Sequence, residues 1–273
     1  MSAPPLIPYR RPPYTPFRAG PPRFTPALSP LDPAAWLAPD TEHHVLDWKR
    51  ALLDRPDRVF RARPGAEAAA AEAADLVAGA VNAAPSGDLI AASRRVSDDL
   101  VVMSRDKTGW MCTALTLTAP TFFAVDHVIG RNLAALHGPV PDAARLSARI
   151  DRVFDGLRPG LILERFNWTL QAGAERFTPD AAPLRARAAR AAPEEAHDLL
   201  HLRVERQTLR ALPNTGAVLF TIRVCLDPLG NLALDDRALL ASAWRGPGAQ
   251  GRAYKGWAAY DRIAEAVFAE WRV

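Results

Sequence analysis

The stretch His201 to Arg223, HLRVERQTLRALPNTGAVLFTIR, gathers the residues of this chain best suited to chemistry. Its first half reads as a helix-like segment carrying Arg203, Glu205, Arg206, Gln207 and Arg210. A turn at Pro213-Asn214-Thr215-Gly216 leads into an apolar strand over residues 217–222. Guanidinium and carboxylate groups are costly to bury beside such a strand, so they are there to bind a ligand or to hold a loop. Arg206 and Arg223 are the first candidates for contact with an anion or with oxygen. A guanidinium inside an apolar sheet can polarise bound dioxygen or pair with a propionate. A structural ion pair, for instance Glu205 with Arg203 or Arg210, is the competing reading.

His137 is the histidine best placed to bind a metal. It closes a predicted helix over residues 125–136 whose inward side chains are Ile129, Leu133 and Leu136, and Gly138-Pro139 ends that helix. A neutral imidazole in an apolar wall suits a flat apolar cofactor; the plainer role is to cap the helix C-terminus. His43 and His44 sit near a helix start and read as solvated. His127 has only Asp126 as an acidic neighbour. His197 and His201 are spaced for one helical face, but a metal pair there would want a carboxylate or a third histidine. Asn167 and Trp168 either line a pocket or pack in a sheet.

Other chemistries find little support. The two cysteines, Cys112 and Cys225, read as buried free thiols. They are too few for an iron–sulfur cluster, which takes about four, and make no zinc spacing. No dinucleotide or phosphate-binding glycine motif occurs. Asp98 and Asp99 are adjacent, so on a strand they face opposite sides and cannot work as a carboxylate pair.

The elements that must hold these residues follow from periodicity and turn signals. Helices are expected over residues 41–53, with Val45, Trp48 and Leu52 inward, and over 66–81 and 143–154. Residues 97–103 and 110–117 form a hairpin turned by Asp106-Lys107-Thr108-Gly109. A strand spans 161–171, a loop with a short helix 178–196, a strand 217–226, and helices 236–244 and 255–271 close the chain. Leu31-Asp32-Pro33-Ala34-Ala35-Trp36-Leu37 reads as a short helix capped by Asp32 with Pro33 first. This order gives an α+β fold: an antiparallel sheet with flanking helices. Residues 1–40, dense in proline, form an extended N-terminal arm, and residues 41–273 a single domain.

The chain has 273 residues, 49% hydrophobic, enough to bury a sizeable core. No apolar run is long enough to span a membrane, and no signal pattern opens the sequence, so a cytoplasmic location is expected. The charge of +4 is spread rather than gathered in a patch, which argues against a nucleic-acid partner.

Several phrases together resemble one family. They are Val96-Ser97-Asp98-Asp99-Leu100, Leu136-His137-Gly138-Pro139-Val140-Pro141, Arg165-Phe166-Asn167-Trp168, the run Leu202 to Arg210 and the run Thr215 to Arg223. Over roughly residues 15 to 265 the chain resembles the α subunit of the heme-dependent oxidative N-demethylases. The resemblance implies a PAS-like fold holding heme b, with His137 as iron ligand and Arg206, Asn167 and Trp168 around the cofactor. It implies an arginine on the distal side that helps hold oxygen, with Arg223 the first choice; Arg206 and Glu205 are the further catalytic candidates. It also implies oxidation of a small secondary methylamine, such as dimethylamine, by O2 to a primary amine and formaldehyde. Electrons would come from NADPH through a reductase partner carrying FMN and a 2Fe-2S cluster. Oligomeric state is left open.

Two segments depart from the family pattern. Ala119-Pro120-Thr121-Phe122-Phe123 stands where P-S-x-W is expected, and Val224-Cys225 where threonine and tyrosine are expected. These changes bear on the substrate more than on fold or heme. The alternatives are a non-catalytic heme-PAS protein that senses a gas or binds a ligand, and a paralogue that has lost heme.

Overall fold

The structure, a computed structural model, describes residues 11–23, 25–37, 43–138, 140 and 142–273. The remainder of the expected arm, residues 1–10, 24 and 38–40, lies outside the described residues, as do Pro139 and Pro141.

Among the described residues one antiparallel sheet is built from β1 (Ser29–Pro30), β2 (Phe60–Ala62), β3 (Asp99–Asp106), β4 (Gly109–Thr116), β5 (Ile162–Ala172), β6 (Leu200–Ala211) and β7 (Val218–Pro228). The spatial order is β1-β5-β6-β7-β3-β4-β2. Helices α1 (His43–Leu53), α2 (Glu67–Ala80) and α3 (Leu89–Ser93) precede the β3–β4 hairpin. Helices α4 (Leu133–His137) and α5 (Ala143–Gly156) join it to β5, and α6 (Ala182–Arg190) and α7 (Ala196–Leu199) join β5 to β6. Helices α8 (Leu234–Arg245), α9 (Ala249–Lys255) and α10 (Asp261–Glu270) follow the last strand. The α+β expectation holds.

The main correction concerns residues 201–210, which are strand rather than helix. β6 lies between β5 and β7 and pairs with both, so its backbone groups are satisfied by ladders on either side. Successive residues point to opposite faces. Leu200, Leu202 and Val204 therefore share one face with Arg206 and Thr208, while Arg203, Glu205 and Gln207 share the other. Both faces are buried, so no solvent-facing row marks the alternation.

Helices cover both faces. On the Leu202 face, Trp168 of β5 packs with Leu202, Val204 and Cys225 against Trp244, Trp257, Ile263 and Phe268 from the C-terminal helices. The rings of Trp244 and Trp257 stack with centroids 4.0 Å apart. Farther along this face α2 packs its alanine-rich side, Ala69, Ala73 and Val77, with Leu100, Val102, Leu219 and Trp36. On the opposite face Leu146, Ile150 and Phe154 of α5 and Leu133 of α4 join Val101, Met103, Leu209, Ile222 and Val224 in one apolar cluster.

Two expected helices are divided. Residues 125–136 form a 3-10 turn, Val125–His127, and then α4. Gly130 sits between them at φ +71° and donates to Cys112 O, which ties this segment to β4. The backbone must turn here, so a continuous helix is impossible. Residues 255–271 break at Gly256, φ +65°, which ends α9 before α10 begins.

The described part of the N-terminal segment lies against the sheet. Phe17 meets Trp168 edge to face at 6.2 Å. Asp32 caps a 3-10 turn, Pro33–Ala35, by accepting from Ala34 N at 2.9 Å. Trp36 is buried and donates from Nε1 to Thr208 Oγ1 at 3.0 Å.

Candidate functional site

The α4 helix sets the direction of His137. Asn132 caps it by accepting from Ala135 N at 2.9 Å, and Leu133 anchors its first turn in the apolar cluster. His137, four residues on, lies on the same side as Leu133. Its Nδ1 is 2.7 Å from Leu133 O. A carbonyl can only accept, so Nδ1 carries the proton and the lone pair is on Nε2. Burial pushes the His137 pKa down, the bond to Leu133 opposes this, and the positive charge of Arg165 lowers it further. The result is a neutral imidazole with a fixed ring and tautomer, the state in which histidine binds a metal.

A polar cluster occupies the same face of the sheet. Asn167 on β5 is paired in register with Glu205 on β6, and Arg165 with Gln207. Glu205 Oε2 accepts from Asn167 Nδ2 at 3.1 Å and from Gln207 Nε2 at 2.7 Å. Lys255, at the end of α9, reaches Asn167 Oδ1 with Nζ at 2.7 Å. Burial lowers the Lys255 pKa to about 8 against the opposing pull of Glu205. Burial also lowers the Arg165 pKa, again opposed by Glu205.

Arg203 holds the nearby loop. Its Nε donates to Thr121 Oγ1 at 2.9 Å, Nη1 to Gln171 Oε1 at 3.0 Å and Nη2 to Ala119 O at 2.8 Å. Burial pulls its pKa down to about 10. The segment it grips contains Phe122, which takes φ +69° while donating from its backbone N–H to Thr178 O at 2.9 Å. Phe123 packs against the His137-side apolar cluster, as does Val224, whereas Cys225 lies on the other face. Of the departures from the expected pattern, Phe123 and Val224 thus border the site.

The sequence-derived candidates divide between the two faces. His137, Asn167 and Glu205 are brought to one. Arg206, Arg223 and Trp168 are on the other. There Arg206 donates from Nε to Glu164 Oε1 at 2.5 Å, from Nη1 to Trp36 O and from Nη2 to Ala35 O, both at 2.8 Å. Arg223 donates from Nε and Nη2 to Asp98 Oδ2 at 2.9 and 2.6 Å. Trp168 is core of the tryptophan cluster. His201 is the second residue of β6, so it and His197 share no helical face. Cys112 and Cys225 are buried and neither is in a disulfide, as expected.

Sequence reasoning misses Arg165 and Lys255 as members of the cluster. Arg165 could be found by parity, because it lies two residues from Asn167 on a strand. Lys255 carries no such signal, since the break at Gly256 that directs it is set by tertiary packing.

Among the described residues no group of three or more His, Cys, Asp or Glu side chains could hold a bare metal ion. Nor is any helix among them long and apolar enough to cross a membrane. The arrangement is instead that of an α+β protein with His137 and a buried polar cluster around Glu205 on one side of its sheet. A family model described as "Haem-dependent oxidative N-demethylase, alpha subunit-like" matches residues 80–264, and the chain belongs to that family. The matched span contains His137, Arg165, Asn167, Glu205 and Lys255; the strap that carries Trp36 lies outside it.

Proposed function

We propose that the chain binds heme b on the His137 face of its sheet and oxidises a small secondary methylamine, such as dimethylamine, to a primary amine and formaldehyde. The observation that carries this reading is His137, held neutral by burial with Nδ1 bonded to Leu133 O and Nε2 left to bind iron. The apolar cluster of Leu133, Ile150, Ile222 and Val224 suits a flat macrocycle. The order of the five long strands, β5-β6-β7-β3-β4, supports the PAS-like reading.

A bound heme would supply oxygen activation. The residues of this chain would position the amine. Glu205 is 7% exposed, and its Oε2 already takes bonds from Asn167 and Gln207. Oε1 is then the acceptor for a protonated amine, and the carboxylate is the group that can take its proton. Val224 and Phe123 add apolar surface for methyl groups. In this reading Arg206 and Arg223 support the site from the other face, since their bonds go to Glu164, Asp98 and the strap.

The reaction needs two electrons from outside. The chain has two cysteines and no dinucleotide fingerprint, and its family is α-subunit-like. We assign electron delivery to a partner subunit bearing FMN and a 2Fe-2S cluster and using NADPH. Two buried cysteines outside any disulfide suit a reducing compartment such as the cytoplasm.

The test is the absorption spectrum of heme-reconstituted protein, oxidised, dithionite-reduced and carbon monoxide-bound, for wild type and His137→Ala. A histidine-type Soret band that is lost in the variant and restored by added imidazole supports the reading. An unchanged spectrum in His137→Ala overturns it. A second reading, a non-catalytic heme protein, draws on Val224 and Phe123, apolar where the family pattern has threonine and tryptophan. Formaldehyde release from dimethylamine with a supplied flavin reductase would separate the two.

A further inference from the structure

Three arginines of the sheet, Arg203, Arg206 and Arg223, are each answered by hydrogen-bonding partners, and Arg165 is not. Arg203 is held by Thr121, Gln171 and the 119–120 carbonyls, Arg206 by Glu164 and the strap, and Arg223 by Asp98. Arg165 has no hydrogen bond or ion pair among the described residues, and its Nε is fully buried without a partner. A guanidinium does not release its proton at physiological pH. Arg165 is partly buried: its Nε is shut off from both water and protein partners while the rest of the guanidinium still meets solvent, so an incoming anion can reach it and satisfy the buried nitrogen.

Glu205 answers that charge only in part: it acts on Arg165 without a hydrogen bond to it, its Oε2 is occupied by Asn167 and Gln207, and its field is shared with Lys255. Lys255 adds a second cation through Asn167. With one carboxylate against an arginine and a lysine, the cluster has surplus positive charge, the setting for a fork-shaped contact to an incoming carboxylate.

We propose that Arg165, backed by Lys255, forms a carboxylate-binding site on the His137 face of the sheet. The carboxylate has two sources: a propionate of the heme, or a free small carboxylic acid. The first source rests on the heme reading above; the second does not.

The experiment compares wild type with Arg165→Gln and Arg165→Lys. Each is titrated with heme and with heme dimethyl ester, which has the same ring and no free carboxylates. In parallel, thermal unfolding of each heme-free protein is followed in acetate or succinate against chloride at equal ionic strength. Wild type is expected to bind heme about tenfold or more tightly than the ester, a difference that one charge-assisted contact supplies. Arg165→Gln should bind the two alike, and Arg165→Lys should retain part of the preference. Equal binding of both hemes, with a carboxylate-specific rise in melting temperature that Arg165→Gln abolishes, would assign the site to a free acid. No heme uptake with that same rise would remove the heme reading and leave this site standing. Neither preference nor rise overturns the proposal. Loss of the orphaned Nε should also leave heme-free Arg165→Gln no less stable than wild type; a lower melting temperature would show that Arg165 is already satisfied within the fold.

Discussion

Arg206 and Arg223 stand directly opposite each other across β6 and β7, and each guanidinium has its own carboxylate, Glu164 for one and Asp98 for the other. Two adjacent buried cations would repel, so the sheet keeps them only with both anions in place. The carboxylates come from different directions, β5 and the residue before β3. This pairing ties the middle of the sheet to both of its halves.

Asp98→Asn should therefore destabilise the fold by about 3–5 kcal/mol, the cost of removing one partner from a buried pair. A urea denaturation midpoint measures it. A loss under about 1 kcal/mol, the level of a surface pair, would show that Asp98 is dispensable.

Arg206→Met keeps the apolar stem and removes the donors to Trp36 O and Ala35 O. The expected result is a loss of about 2–3 kcal/mol and faster trypsin cleavage at Arg18 and Arg23, as the strap carrying Trp36 loosens. Peptide masses after limited digestion report it. Cleavage at the wild-type rate would mean that the strap is held by Trp36 packing alone.

Stability of the heme-free protein should fall as pH drops below about 6.5. Burial lowers the folded-state pKa of both His137 and His201 from the ordinary histidine value of 6.5. Between the folded and unfolded values the unfolded chain binds more protons, so stability is fully present above 6.5 and declines as pH falls toward the folded values. Each histidine contributes up to about 1.4 kcal/mol per pH unit in that window. His201→Gln should remove part of the slope between pH 6.5 and 5, read from melting temperatures. An identical slope in the variant would contradict this.

Lys255 predicts a dependence in the alkaline range. Its folded pKa is about 8 against the ordinary lysine value of 10.5, so between these values the unfolded chain again binds more protons and stability rises with pH. The free-energy difference between wild type and Lys255→Met should move in favour of wild type from pH 8 to 10.5. A constant difference would place the amine in solvent.

Much of the fold is legible in the sequence. The hairpin of β3 and β4 is marked by β-branched runs around Asp106-Lys107-Thr108-Gly109, and α2 by its alanines between glycine and proline signals. β6 is not, because an interior strand buried on both faces puts charged residues where a simpler strand would put solvent-facing ones. Reading 201–210 as helix hides the parity that separates Glu205 from Arg206. That parity divides the candidates: Asn167 and Glu205 lie on the His137 side of the sheet, while Arg206 and Arg223 share the other with their counter-ions. Arg165 becomes visible only when the strand is known and its neighbours are seen to be engaged.

The order of strands in space has a consequence for synthesis. The β3–β4 hairpin is made early, yet β3 gains its second neighbour only when β7 arrives, after α4, α5, β5 and β6. A chain emerging from its N-terminus must therefore carry an unpaired strand edge and the unfilled His137 face through most of translation. Long-range pairing of this kind is slow and exposed to aggregation. Soluble yield should accordingly respond to chaperone supply during expression, and to heme if the cofactor settles on that face before the sheet closes; a yield indifferent to both would indicate that the two halves of the sheet dock quickly once β7 is released.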